Sequence, residues 1–590
     1  MTIFEDANSP ESVTSFKLTI AHLNDTHSHL ESYPLCLRVQ GESVPVYVNC
    51  GGFPRIANAL KKTKEIAEGQ GREFLFLHAG DCFQGTLYYS LFRGEADAAL
   101  LNYIKPDAMT LGNHELDLGN QNFAEFMEKI SFPVLAGNWD LSNEAVHRNY
   151  RLADLENLLT YNADDRCANY LLKSFGSFKV AIVGLTLEKM AEIAHPEPDT
   201  PFLPVEQVAR QTLEHLKNEG VNSVILLSHL GYESDLKLAE KVPGFTAIIG
   251  GHTHTLQGDF SDLGLSVEEP YARRVGSTVI VQAGCYGMAL GVLDIDFSSD
   301  GTVTSVSGGN RLLIGQRLTL ETNADSSLDE NAYTRIRRKI ESRPDVMIVK
   351  SDPGAKAIIN DRFKPAVDKW RGEVVATTDI PLRHIRIPDA QGGSQLAPLV
   401  CKAFLEGARQ EGWDVDFAIH NAGGVRTSIL PGKITAADIA GRLLPFTIDV
   451  MVYRVTGRQI RAALEGAINN ATNNGVEGTG SGSFPYTAGL RYSYQGCNPI
   501  GDRVTKLDVF RCGKWERVDD NSLYLGASSS YTSNGKEGYL PLSQGVTAPE
   551  STGISMAESF IRWARKKGTL TPETENLVDY NPCRFEEKTA

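Results

Sequence analysis

Short apolar runs that end abruptly in polar groups recur through the first half of the chain. Residues 16–23, 74–79, 108–111, 221–227 and 245–249 each read as a buried parallel strand. Helix-like runs at 52–68, 96–104 and 205–218 alternate with them, and further strands fit 134–136, 180–185, 278–282 and 291–295. The alternation over 16–297 is α/β patterning. From 308 to 372 the texture turns charged and irregular, with a helix candidate at 355–370 interrupted by Pro365, and reads as a connecting region rather than core. A second globular unit follows from about 373, with apolar runs at 417–419, 450–455 and 523–525. Its Asn/Gly-rich insert at 469–482 reads as an exposed loop, and 558–567 as a closing amphipathic helix.

What stands at the strand ends changes the picture from architecture to chemistry. Asn24-Asp25-Thr26-His27, Gly80-Asp81, Gly112-Asn113-His114-Glu115, Ser228-His229 and Gly251-His252-Thr253-His254 each follow one of the five runs. In α/β sheets this is the edge that binds ligands. Asp81 ends a strongly apolar strand and is the best candidate for a carboxylate bridging two ions. The pairs Asp25/His27 and His252/His254 each alternate across one residue, which lets both members face one side of an extended segment. Singly, each motif is explained by a turn, a cap or a solvated loop. Jointly they supply the ligand set of a two-metal hydrolase, with imidazole and carboxylate donors that suit Zn, Mn, Co or Fe better than Ca or Mg. Among the other histidines, His29 and His420 lie beside motifs, and the rest default to ordinary surface or core roles.

Bulk properties narrow the class. A 590-residue chain is too long for one core, and a formal charge of −15 disfavours a nucleic-acid binder. Nine widely spread cysteines do not make a disulfide scaffold, although one or two bridges are compatible with them. There is no apolar run long enough to span a membrane. The polar, acidic start at 1–15 is expected to carry no export signal.

The five motifs match, in order, those of the calcineurin-like metallophosphoesterases. The resemblance implies that residues matching Asp25, His27, Asp81 and His254 hold one divalent metal, and Asp81, Asn113, His229 and His252 the other. It implies that His114 assists the phosphate in the transition state and that Asp117 orients it. The second half carries Asn421-Ala422-Gly423-Gly424-Val425-Arg426, Leu444-Pro445-Phe446, Gly482-Ser483-Phe484-Pro485-Tyr486, and Tyr531 through Tyr539. Together these segments resemble the C-terminal domain of 5′-nucleotidases, most closely the bacterial NAD nucleotidase subgroup.

By that resemblance Phe446 and Tyr531 stack the base, Asn421 contacts it, Arg426 and Arg386 bind phosphate and Glu537 holds the ribose. Arg383 rivals Arg386. Glu537 stands where the family usually has Asp, and Tyr531 where several members have Phe. The expected architecture is an α-β-β-α metallophosphoesterase sandwich (16–340), a helical linker (341–372) and a C-terminal α+β nucleotide-binding domain (373–590) that rotates to carry substrate to the metals. The expected activity is hydrolysis of nucleoside 5′-monophosphates, extending to the pyrophosphate of NAD or nucleotide sugars. A 2′,3′-cyclic phosphodiesterase with 3′-nucleotidase activity is the enzymatic alternative, and a non-catalytic nucleotide-binding module the alternative of another class. Family resemblance places the protein in the periplasm or outside the cell, and the lack of a leader makes the cytoplasm the alternative.

Overall fold

The computed structural model describes residues 16–42, 44–320, 331–446, 448–476 and 478–582, so the expectation for 1–15 lies outside the described residues. The chain divides into two units, the first reaching Arg362 apart from the stretches 84–93 and 192–194, the second running from Phe363.

Two sheets make the first unit. In the larger, strand Phe16–Leu23 lies between Glu73–His78, parallel to it, and Ala289–Phe297, antiparallel. Ala108–Thr110 and Val134–Leu135 continue the parallel side. The smaller sheet is parallel through Phe178–Thr186, Ser223–His229, Ala247–Ile249 and Thr278–Val281. The two-residue period of a strand explains the layering. Val180 and Ile182 face the space between the sheets with Ile20, Leu75, Leu77 and Ile225. Their neighbours Ala181 and Val183 instead pack with Val208 and Ala209 of helix Val205–Asn218 and Leu238 of helix Tyr232–Lys241. On the larger sheet, helix Phe53–Gly69 buries Ile56, Ala59 and Leu60 and packs against Glu73–His78. The layers are therefore helix, sheet, sheet, helix.

Sequence and structure differ at three places. Residues beyond 308 are not all connection: strand Val303–Leu320 pairs with Ala289–Phe297 and Val46–Cys50. Its Leu312, Leu313 and Ile314 are fully buried, while its Gln316 and Arg317 are exposed and give the segment its polar texture. Ile336 and Ile340 of helix Ala332–Glu341 join the same core. The helix candidate at 355–370 is really Pro353–Ile358, a π turn at Ile359–Phe363, and Lys364–Arg371. Pro365 is tolerated because it sits in the first turn of the last segment. Finally, helix Gly457–Thr472 runs into the supposed loop at 469. Asn469 is buried, its Oδ1 accepting from Tyr494 Oη and Arg503 Nη1, both at 2.7 Å.

In the second unit a five-stranded sheet has the order Pro485–Ala488, Phe417–Asn421, Leu523–Ser529, Asp449–Thr456, Glu550–Ser555. Helix Ala397–Gln410 packs on it. Phe417–Asn421 and Leu523–Ser529 are parallel neighbours, so Asn421 and Tyr531 emerge at the same edge. Cys497 is disulfide-bonded, and Cys36, Cys50, Cys82, Cys167, Cys285, Cys401 and Cys512 are free thiols. Among the described residues no helix is long and apolar enough to cross a membrane.

The two sheets of the first unit meet at Gly184, where a Cβ would fall 2.2 Å from Leu135 Cβ and 2.6 Å from its carbonyl oxygen. Gly184→Ala is expected to destabilise this unit by about 1–3 kcal/mol. Chemical denaturation should show an earlier midpoint for the transition reporting this unit, with an unchanged slope.

Candidate active site

All seven metal-ligand candidates of the first unit converge at one edge of the sandwich. Backbone bonds between the first two motif loops set the geometry: Asp25 N–H donates to Gly80 O (2.9 Å), His27 N–H to Asp81 O (3.1 Å) and Ser28 N–H to Cys82 O (2.8 Å). A buried carboxylate, Glu115, then accepts from the N–H groups of Asp81 (3.0 Å), Cys82 (2.7 Å), Phe83 (3.2 Å) and Gly112 (2.8 Å). From the far side, buried Asp97 accepts the Ser28 hydroxyl at 2.9 Å. The Glu115 tether was visible only as the last letter of a motif, and Asp97 carried no signal in the sequence.

Asp25, His27 and His254 form one group and Asp81, His229 and His252 another, while Asp81 also lies with His27 and His114. In the first group His27 Nε2 and His254 Nε2 are 3.0 Å apart, and Asp25 Oδ1 is 3.3 Å from His254 Nε2. In the second, Asp81 Oδ2 is 3.1 Å from His229 Nε2 and Asn113 Oδ1 is 2.9 Å from His252 Nδ1. Close approach demands small residues. A Cβ on Gly112 would lie 2.2 Å from Asp81 Oδ1.

The donor set fits two cations. His229 gives its Nδ1–H to the Ala79 carbonyl at 2.7 Å, which fixes Nε2 as the lone-pair nitrogen of the neutral ring. Among the described residues that buried Nε2 has no well-aligned hydrogen-bond partner, although Asp81 Oδ2 stands 3.1 Å from it. His27 is fixed the same way, by its Nδ1–H to Phe83 O at 2.9 Å. Two buried carboxylates, with Asp25 fully buried and Asp81 only 2% exposed, need positive charge nearby.

His114 differs from the ligand histidines. Its Nδ1 lies 2.7 Å from Asp117 Oδ2, and its N–H donates to Asp81 Oδ1 at 2.9 Å. Burial opposes its protonation, but Asp117, Asp81 and Glu115 outweigh it and push His114 up to about 10. Burial instead holds His27 at about 3 and His252 at about 4.

The six candidates of the second unit also gather. Arg426 lies over Phe446, 5.7 Å from the ring centre. Asn421 Oδ1 accepts from Thr532 Oγ1 at 3.3 Å, beside Tyr531. Glu537 accepts from Thr479 at 3.2 Å and is hydrogen-bonded to Tyr531. Burial raises the Glu537 carboxyl, against the nearby charge of Arg386. His384, missed in the sequence, is lowered to about 4 by burial, with Arg386 and Arg426 adding to the effect. The two rival arginines differ in their surroundings. Arg383 is held in a two-pronged pair with Asp389 (2.8 and 3.1 Å) and by Gly392 O, whereas Arg386 is exposed and reaches Ser481 Oγ only at 3.5 Å.

Both units match known families. Residues 18–256 match the calcineurin-like phosphoesterase family and 374–544 the 5′-nucleotidase C-terminal domain. A probable 5′-nucleotidase of Treponema pallidum is 34% identical over 587 residues, covering 95% of this chain and 94% of the relative. The NAD 5′-nucleotidase of Haemophilus influenzae is 30% identical over 594 residues, 97% and 94% of the two chains. The crystal structure of a 5′-nucleotidase precursor from Thermus thermophilus superposes with a TM-score of 0.71 at 30% identity, over 96% of this chain and 99% of that one. On this sequence, fold and site, the chain belongs to the 5′-nucleotidase family, a calcineurin-like phosphoesterase domain followed by a 5′-nucleotidase C-terminal domain.

Proposed function

We propose that the protein hydrolyses nucleoside 5′-monophosphates to nucleoside and phosphate. The observation that carries this reading is the convergence of seven metal-donor side chains with a His114–Asp117 pair at their rim. Asp25, His27, Asp81 and His254 would hold one divalent ion, and Asp81, Asn113, His229 and His252 the other; when bound, such ions activate water and neutralise phosphoryl charge. His114, kept protonated by Asp117, steadies the charge that develops on the phosphoryl group and is placed to give up a proton. In the second unit Arg386 and Arg426 suit the phosphate, because a guanidinium donates paired hydrogen bonds. Phe446 and Tyr531 offer ring faces to the base, Asn421 a polar contact to it, and Glu537 an acceptor for ribose hydroxyls.

A second reading, cleavage of the NAD pyrophosphate, is favoured by the full-length similarity to the Haemophilus influenzae NAD 5′-nucleotidase. Purified protein offered AMP, NAD, UDP-glucose and 2′,3′-cyclic AMP with Mn²⁺ should release phosphate from AMP, and EDTA should abolish the release. No release from any of the four would favour a non-catalytic nucleotide-binding module, and preference for the cyclic substrate would favour the 3′-nucleotidase alternative.

His114→Ala is expected to lower kcat by about 10²–10⁴ with metal content unchanged by elemental analysis; unaltered turnover would sink the assignment. Asp117→Asn should move the alkaline limb of the kcat–pH profile downward. Activity that needs the His114 imidazolium is present below its pKa and lost above it, and this variant removes the charge that raises it. Phe446→Ala should raise KM for AMP by about 5- to 150-fold, the loss of one base stack, and barely change KM for an aryl phosphate. Equal effects on both substrates would refute base stacking.

A further inference from the structure

One residue beside the metal candidates adopts a backbone that its side chain resists. Tyr286 lies in the turn between strands Thr278–Val281 and Ala289–Phe297, with φ 59, between Gly284 at φ 75 and Gly287 at φ 61. For a bulky residue the left-handed region is a genuine outlier, and such outliers persist where the surroundings over-determine them. Two contacts do so here. The Tyr286 N–H donates to the Asp25 carbonyl at 2.7 Å. The carbonyl oxygens of Tyr286 and Gly287 close against Gly51, where a Cβ would lie 3.0 Å from each.

The strain places an aromatic ring that glycine would not supply. The ring stacks on His29, centres 4.1 Å apart, and meets both His27 and His254 at 5.8 Å. His27 is already oriented by its bond to Phe83 and is 7% exposed at the side chain, but the His254 side chain is 36% exposed. Asp25 and His27 meet the His254 ring at Nε2, and the Tyr286 ring packed beside it restricts its rotamers further before binding.

We propose that Tyr286 is a positioning residue for the Asp25/His27/His254 group: its N–H fixes the Asp25 segment, and its ring holds His254 so that its Nε2 converges with that of His27. The role belongs to the ring and not to its hydroxyl. This rests on the two-metal reading above. It also predicts a separation that a packing role would not give. Glycine at 286 relieves the left-handed backbone, so the metal-free protein should be no less stable, yet one of two metal positions should weaken.

The test compares wild type, Tyr286→Gly and Tyr286→Phe. Each metal-free protein is melted, then titrated with Mn²⁺ by calorimetry, and its Mn-to-protein ratio is measured after dialysis. The expected result is two ions per chain for wild type and Tyr286→Phe. Tyr286→Gly should show one binding class weakened about 10- to 100-fold, the usual loss when a group supporting a ligand is removed, the other class within about twofold, and an undiminished apo melting temperature. Two unaltered classes in Tyr286→Gly would overturn the proposal while leaving the two-metal reading intact. So would equal weakening of both classes with a lowered apo melting temperature, which marks a general packing defect, or a Tyr286→Phe variant that behaves like Tyr286→Gly. Wild-type protein that takes up no Mn²⁺ would overturn the two-metal reading itself.

Discussion

Two carboxylates taken out of water, Asp25 and Asp81, set the terms for the rest of the first unit. Both sit at strand ends between two sheets, where an uncompensated charge is costly. The backbone bends to bring counter-charge to them. Five of the seven ligand candidates take left-handed φ values: Asp25 at 49°, His27 at 46°, Asp81 at 57°, His252 at 77° and His254 at 60°. Each such residue costs about 1–3 kcal/mol, so the geometry persists only because other bonds enforce it. The ladder between the Asp25 and Asp81 loops and the four N–H groups gathered by Glu115 are those bonds. Glu115 is the more telling of the two, being another buried carboxylate that spends its acceptors on backbone and leaves Asp81 to the histidines around it.

The second unit uses the same device with different chemistry. Parallel strands Phe417–Asn421 and Leu523–Ser529 release Asn421 and Tyr531 at one edge, and Glu537 nearby again has a left-handed backbone, at φ 50. Here the groups are cationic, aromatic and hydrogen-bonding, the chemistry that the proposed nucleotide would call for in its phosphate, base and ribose.

Much of this was legible in the residues alone. Strand-end motifs are local in sequence, and a buried strand of a few apolar residues announces where its last side chains emerge. Asp25, His27, Asp81, Asn113, His229, His252 and His254 could therefore be grouped before any coordinates. What stayed hidden was contact between segments distant in sequence. Asp97 meets Ser28 across 69 residues. Nearer in sequence, Arg383 pairs with Asp389 six residues on, a contact that the loop between them hides. Strand Val303–Leu320 read as connection because its exposed positions dominate its composition, although Leu312 to Ile314 are buried. Tyr286 had no signal at all, since nothing in a sequence reports a positive φ at a tyrosine.

The histidines show why environment, and not residue type, divides the labour. His229 and His114 are both driven toward protonation, His229 to about 9 and His114 to about 10, against burial that opposes both. Yet the two protons mean different things. His229 already spends Nδ1–H on the Ala79 carbonyl, so an added proton must sit on Nε2, between the ring and Asp81. That proton marks a place where the site favours positive charge, a demand that a divalent ion held by Asp81 and His229 would also meet. His114 meets its carboxylate partner Asp117 on Nδ1 while also lying with Asp81 and His27. Were an ion bound there, it would meet the Asp81 charge that favours the His229 proton, while Asp117 would still supply a counter-charge to His114, the histidine the proposed reaction would use in its protonated form.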